Sequence, residues 1–177
     1  MPEYEIKHYA TKLKKIASLL SGIPIEKFSN QQFKTMNMPT VWDKIKLPTS
    51  AYNPINRMTV RKFLQLIGTD ALRDNLHENV WVNALFADYK PNMDLSLDLY
   101  PNWIIPDVRF PNEADAIIDK GGIIIRVERD LENRINEYHP SEVSLDNFTK
   151  FSFKITNNGN LWDLEQKALD IIKEISK

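Results

Sequence analysis

The run Trp103-Ile104-Ile105-Pro106-Asp107-Val108-Arg109-Phe110-Pro111-Asn112-Glu113 is apolar until it meets an acid, a cation and then a helix start. An aspartate at the carboxyl end of a strand in an open α/β sheet projects into the crevice where ligands sit. It can hold a hydrated magnesium ion, and a guanidinium two residues on can grip a phosphate through paired hydrogen bonds. Asp107 and Arg109 therefore read either as phosphate chemistry, with Asp107 as a magnesium ligand, or as a buried ion pair tying strand to helix. A second concentration of polar groups is Gly68-Thr69-Asp70-Ala71-Leu72-Arg73-Asp74, followed at near-helical spacing by His77 and Trp81. An aromatic ring beside an arginine can stack a base while the arginine holds phosphate. The competing reading makes Gly68 a helix terminator, Arg73 a surface cation and Trp81 a core residue. Arg126, Arg129 and Arg134, ahead of His139-Pro140-Ser141-Glu142, read as arginines of a phosphoryl-transfer lid or as solvated charge. The amides of Thr156-Asn157-Asn158-Gly159-Asn160 can read a nucleobase edge, although turn formation accounts for Asn-Asn-Gly equally well.

The elements that must position these groups follow from periodicity. Alternation over 4–9 predicts a strand, and Leu13, Ile16, Ala17 and Leu20 predict a helix over 10–21 that Gly22 and Pro24 stop. Ser29 with Gln32 has capping-box spacing for a short helix over 30–36. Residues 37–58, with Pro39, Pro48 and Pro54, read as a long irregular connection of the kind that forms lids and binding loops. Thr59 caps a helix carrying Val60, Phe63, Leu64 and Ile67 that ends near Gly68. A further helix over 78–89 turns Val80, Trp81, Ala84, Leu85 and Ala87 inward, and 90–102 is rich in turns. After the Asp107 strand, Pro111 opens a helix that Gly121 and Gly122 close. The β-branched run 123–127 predicts an interior parallel strand covered on both faces. A last strand over 151–155 precedes a helix opened by Asn160 and Asp163. This order predicts an α/β fold in three layers, with a mostly parallel sheet and helices on both faces. It fits one domain over 1–177, carrying a helical and irregular insertion at about 23–100.

Composition narrows the function classes. With 177 residues, 42% hydrophobic and 27% charged, the chain can bury a substantial core. A formal net charge of -1 provides no general field for nucleic acid or an anionic membrane, so a nucleic-acid partner, supported only by the arginine clusters, is disfavoured. There is no cysteine, hence no disulfide or thiol nucleophile, and the three histidines lack metal-ligand spacing. The charged first 15 residues do not resemble a signal peptide and no segment is apolar enough to span a bilayer, which reads as a cytoplasmic protein.

Taken in order, Gly68-Thr69-Asp70, Arg73-Asp74, His77, Trp81-Val82-Asn83-Ala84-Leu85, Asp107-Val108-Arg109-Phe110-Pro111-Asn112-Glu113-Ala114, Gly121-Gly122, Arg126-Val127 and Asn157-Asn158-Gly159 resemble the phage-type deoxynucleoside monophosphate kinases of the P-loop kinase group. The resemblance runs from Tyr9-Ala10 and Leu13-Lys14 to the last helix, and the DVRFPNEA run is its most specific element. It implies magnesium-ATP as donor and a deoxynucleoside monophosphate as acceptor, in a bacterial or phage-infected host cell. By matching position, Thr69, Arg73 and Trp81 belong to the acceptor site. Asp107, Arg109, Asn112 and Glu113 line the same pocket, with Arg109 on phosphate and Asp107 the magnesium candidate. Lys12 and Arg61 are further acceptor-side residues, Arg129 a lid arginine, and Asn157 and Asn158 neighbours of the donor base.

One departure bears on activity. The group's glycine-rich loop G-x-x-x-x-G-K-S/T is absent: the chain has five glycines, none before Gly22, and no Gly-Lys-Ser or Gly-Lys-Thr. Backbone amides and the lysine of that loop hold the donor phosphates, so without it ordinary ATP-dependent transfer should be severely impaired. The expected fold is accordingly a P-loop kinase-like one truncated at its N-terminus. Three accounts stay open: an N-terminal piece outside this sequence, a separate chain supplying the strand and loop, or a relative that binds nucleotide without turnover. The last makes the protein a noncatalytic nucleotide-binding or partner-interaction module. The resemblance also implies a homodimer.

Overall fold

A computed structural model describes residues 4–43, 57–91, 100–129 and 143–175. It divides into two compact units, Met1–Asp107 and Val108–Lys177. Pro48, Pro54, Arg134 and the His139-Pro140-Ser141-Glu142 run lie outside the described residues, as does most of 90–102.

In the first unit, β1 (Tyr4–Ile6) pairs in parallel with β2 (Asn102–Ile104), Tyr4 opposite Asn102 and Ile6 opposite Ile104. A parallel pair cannot be joined by a tight turn, and the helical chain between these strands is the crossover that the geometry demands. That chain begins with α1 (Ala10–Ser21), which stops where Gly22 takes a left-handed φ of 70° and its N–H returns to the Ser18 carbonyl. A 3-10 turn (Ile25–Ser29) and α2 (Gln31–Thr35) follow. The cap of α2 is Asn30, whose Oδ1 accepts from Phe33 N at 2.9 Å, one residue beyond the expected Ser29, because Ser29 is taken up in the 3-10 turn. After a second 3-10 turn (Thr40–Trp42), α3 (Val60–Gln65) is capped by Thr59 as expected, its Oγ1 accepting from Lys62 N.

The expected end of this helix near Gly68 is not observed. The chain continues through Gly68 as a π-helical turn (Leu66–Arg73) before α4 (Val80–Phe86). A π turn pairs each carbonyl with the N–H five residues on, and Asp74 N donates to Thr69 O at 2.9 Å in this pattern. The core beneath these helices joins Ala17, Phe28, Met38, Met58, Val60 and Phe63, with Trp42 edge-on to Phe63 at 4.8 Å. Phe28, Met38 and Val60 are fully buried, each contributing on the order of 1.5–3 kcal/mol by removal from water. Leu20, expected inward, is exposed.

In the second unit α5 (Pro111–Ile118) starts at Pro111 as expected and gives way at Gly121, whose φ is 78°. The strand β3 (Ile125–Glu128) pairs in parallel with β4 (Phe153–Thr156), and α6 (Leu161–Ile175) follows. Here the expectation of a strand covered on both faces fails. Ile125 and Val127 are exposed, Val127 by 58%, because their side chains share one face of the strand and that face is uncovered among the described residues. The fold is α/β with parallel strand pairs. No helix of the described residues is long and apolar enough to cross a membrane.

Candidate functional site

Three helical segments of the first unit, α1, the π turn and α4, pack on one another and carry Lys12, Thr69, Arg73 and Trp81 of the acceptor-side candidates. Gly68 lies where they meet. A Cβ on Gly68 would stand 2.8 Å from Leu13 Cδ2, so a side chain here would push the end of the Leu13 side chain aside. From α4, the indole Nε1 of Trp81 donates to the Gly68 carbonyl at 2.8 Å in a buried bond. Trp81 is 7% exposed and Thr69 is also buried, while Arg73 is half-buried in the same turn. His77, expected on the same face, is exposed, and its Nδ1 accepts from Asn79 N at 3.0 Å. The structure therefore ties Trp81 to the turn that carries Thr69 and Arg73 and leaves the imidazole to a local turn. Lys12, on α1, donates to Asp88 Oδ2 at 2.9 Å, beyond the end of α4. This bond and the lysine charge hold the Asp88 carboxyl below the usual aspartate range. Arg61 sits in the first turn of α3, half-buried.

Asp107 closes the first unit. Its Oδ1 accepts from Tyr9 N and its Oδ2 from Ala10 N, both at 2.9 Å, so the carboxylate satisfies amides at the start of α1 that have no partner inside the helix. The negative charge also suits the positive end of the helix dipole. His8 Nδ1 stands 3.8 Å from Oδ2. In this way the third residue after β2 fixes the start of the helix that bears Leu13 and Lys12.

In the second unit Glu113 is 3% exposed, and its Oε2 accepts from Arg109 N at 2.8 Å and Phe110 N at 3.1 Å. The carboxylate thus folds back on the first turn of α5 and shapes the backbone that carries Arg109. Arg109 itself is exposed and Asn112 half-buried. Arg129 is exposed at the end of β3. Arg126 is a clamp: its Nη1 donates to Leu145 O at 2.8 Å, its Nε lies 2.9 Å from Glu128 Oε1, and its guanidinium covers the Phe151 ring. Asn157 and Asn158 follow β4. Asn157 is buried, its N–H donates to Glu128 O at 2.8 Å, and its Oδ1 has no hydrogen-bond partner among the described residues. Asn158 is exposed. Asn160 and Asp163 cap α6 reciprocally, each side chain accepting from the other's backbone N–H at 3.0 Å.

Reading the sequence alone missed three participants: the Gly68 carbonyl, Leu13 as its packing partner, and the capping role of Asp107. The first two are contacts between distant segments and leave no local pattern. The third had a signal, since an aspartate following one strand and a helix lacking a polar cap at Tyr9 are complementary needs.

Comparison with known proteins adds independent findings. A family model described as deoxynucleotide monophosphate kinase matches residues 5–168. The chain is 32% identical over 127 residues to a putative deoxynucleotide monophosphate kinase of Acanthamoeba polyphaga mimivirus, covering 67% of this chain and 64% of the relative. It is 30% identical over 118 residues to the deoxynucleotide monophosphate kinase of Enterobacteria phage T4, covering 67% of this chain and 47% of the relative. A third similarity, 33% over 89 residues, is to the deoxynucleoside-5'-monophosphate kinase of Escherichia phage T5, covering 46% and 33%. The matched spans thus cover between a third and just under two thirds of these relatives' lengths.

Proposed function

The chain belongs to the deoxynucleotide monophosphate kinase family, and from that membership we propose that it binds a deoxynucleoside monophosphate and presents its phosphate for phosphorylation by ATP. The observation that carries the reading is the π turn, in which buried Thr69 and half-buried Arg73 lie four residues apart. A hydroxyl and a guanidinium so placed offer a short donor and a forked donor to a nucleotide. In this reading Lys12 and Arg61 add positive charge on the acceptor side of the first unit; in the second unit, taken by itself, exposed Arg109 is the guanidinium that the family resemblance puts on phosphate. Glu113 keeps the Arg109 backbone in place, and half-buried Asn112 sits in the same first turn of α5. Arg129 neutralises charge that spreads over the phosphoryl oxygens in the transition state.

ATP would supply the γ-phosphoryl group. The buried Asn157 Oδ1 fits a nucleobase amino group, since an acceptor removed from water needs a donor, and exposed Asn158 stands beside it. Among the described residues no three acidic or histidine side chains gather, and each Asp107 oxygen accepts an amide, so any magnesium would arrive with the ATP phosphates and waters rather than in a protein cage. In this reading Asp107 positions the start of α1 through its two amide bonds. Incubation with ATP, magnesium and each deoxynucleoside monophosphate should give diphosphate, and Arg109→Ala should abolish it.

A second reading is favoured by one observation, the absence of Gly-Lys-Ser or Gly-Lys-Thr in these 177 residues. It is that of a noncatalytic protein that keeps the monophosphate pocket and binds nucleotide without turnover. Binding without diphosphate formation selects it.

A further inference from the structure

π-helical segments are rare, are mostly single turns, and recur at functional sites. Leu66–Arg73 runs for eight residues and carries the proposed acceptor groups. Its register is visible in two bonds to the N–H five residues on: Asp74 N donates to Thr69 O at 2.9 Å, and His77 N to Leu72 O at 3.0 Å. Something outside the turn must favour this register over the ordinary α one. Two contacts converge on Gly68. Leu13 of α1 occupies the space a Cβ would need, and the Trp81 indole N–H donates to the Gly68 carbonyl from a buried position. A buried indole N–H needs an acceptor, so any shift that rotates the Gly68 carbonyl away from α4 strands the donor. An α register has one residue fewer per hydrogen-bonded turn. Adopting it would rotate the side chains on one side of the turn by about 100° relative to the other.

We infer that Trp81 is a positioning residue: through the Gly68 carbonyl, its indole N–H holds the π register that sets where Thr69 and Arg73 face. The inference rests on the acceptor-site reading above and changes the part Trp81 plays in it. A ring 7% exposed offers no stacking face to a base. Its contribution passes through the backbone it holds.

The test replaces the N–H and keeps the shape. Trp81→Phe removes the donor, and benzothienylalanine at position 81 keeps a bicyclic ring of indole size with sulfur in place of N–H. For each chain, thermal unfolding establishes that it is folded, calorimetry gives the affinity for each of the four common deoxynucleoside monophosphates, and amide exchange reports Asp74 and His77. The expected result is a tenfold or greater loss of affinity in both variants, with faster exchange confined to 66–77 and a folded protein throughout. Unchanged affinity in the benzothienyl variant, beside a wild type that binds, overturns the inference and leaves the acceptor reading standing. If the wild type binds none of the four, the acceptor reading fails and the proposed service to Thr69 and Arg73 falls with it. The latch itself is then still judged by exchange: unaltered protection of Asp74 and His77 rejects it too.

Discussion

At the scale of single residues, two neighbours in one motif divide binding from stability. Glu113 is buried and accepts two backbone N–H groups, whereas Arg109 is exposed. Glu113→Ala should therefore lower unfolding stability by about 1–3 kcal/mol in a denaturant titration, the cost of stranding those donors. Arg109→Ala should change stability by no more than about 0.5 kcal/mol, as an exposed substitution, yet weaken monophosphate binding by roughly 10- to 100-fold, the worth of a charge-assisted contact. A sequence reader sees both as polar members of DVRFPNEA. What separates them is which way each side chain turns, and only Glu113, three residues past Phe110 at a helix start, has a spacing that hints at capping. Asp88 gives a second check. Lys12 donates to it and holds its carboxyl below the usual aspartate range. A depressed carboxyl contributes stability above the unfolded-state pKa and loses it as pH falls through the lower folded value. In an NMR titration the Asp88 midpoint should thus lie below that of a free aspartate. Lys12→Met should return it to the ordinary range, and added salt should do so in part because the pair is exposed.

At the scale of elements, local chemistry was legible and inter-element chemistry was not. Thr59, Pro111, Asn160 with Asp163, and Gly22 mark helix ends where they were expected, because a cap is a bond between residues a few positions apart. The π turn escaped notice for the opposite reason. Gly68 looks like a terminator until Leu13 and Trp81, 55 positions before and 13 after it, are brought against its backbone. The run 123–127 misled through its composition, since a segment rich in β-branched residues does not say how many neighbours its strand has. Gly121 tests the local reading. Its φ of 78° penalises any side chain, so Gly121→Ala should destabilise the protein by about 1–2 kcal/mol in chemical unfolding even though no atom lies within 4 Å of the added Cβ. Equal stability there would mean that the end of α5 is not held in the left-handed conformation.

For the molecule as a whole, the family is read from a match over residues 5–168, and the acceptor chemistry is proposed from the few side chains that the helices of the first unit bring together. The resemblance carried by the ordered motifs, from Tyr9 to the last helix, overlaps most of the family match over residues 5–168, because those motifs occur along nearly the whole chain rather than in one segment. Site roles are a different matter: a motif says which residue types stand where, and the backbone bonds of Asp107, Glu113 and Trp81 say what those residues are already committed to. The measurement that bears most directly on the proposal is calorimetric titration of the chain with each deoxynucleoside monophosphate, wild type beside Arg73→Ala, in the absence of ATP. Saturable binding of at least one monophosphate to the wild type, weakened roughly tenfold or more in Arg73→Ala, is expected of a charge-assisted phosphate or base contact in the π turn. No binding to the wild type, or equal binding by a folded Arg73→Ala variant, would contradict an acceptor site built on that turn.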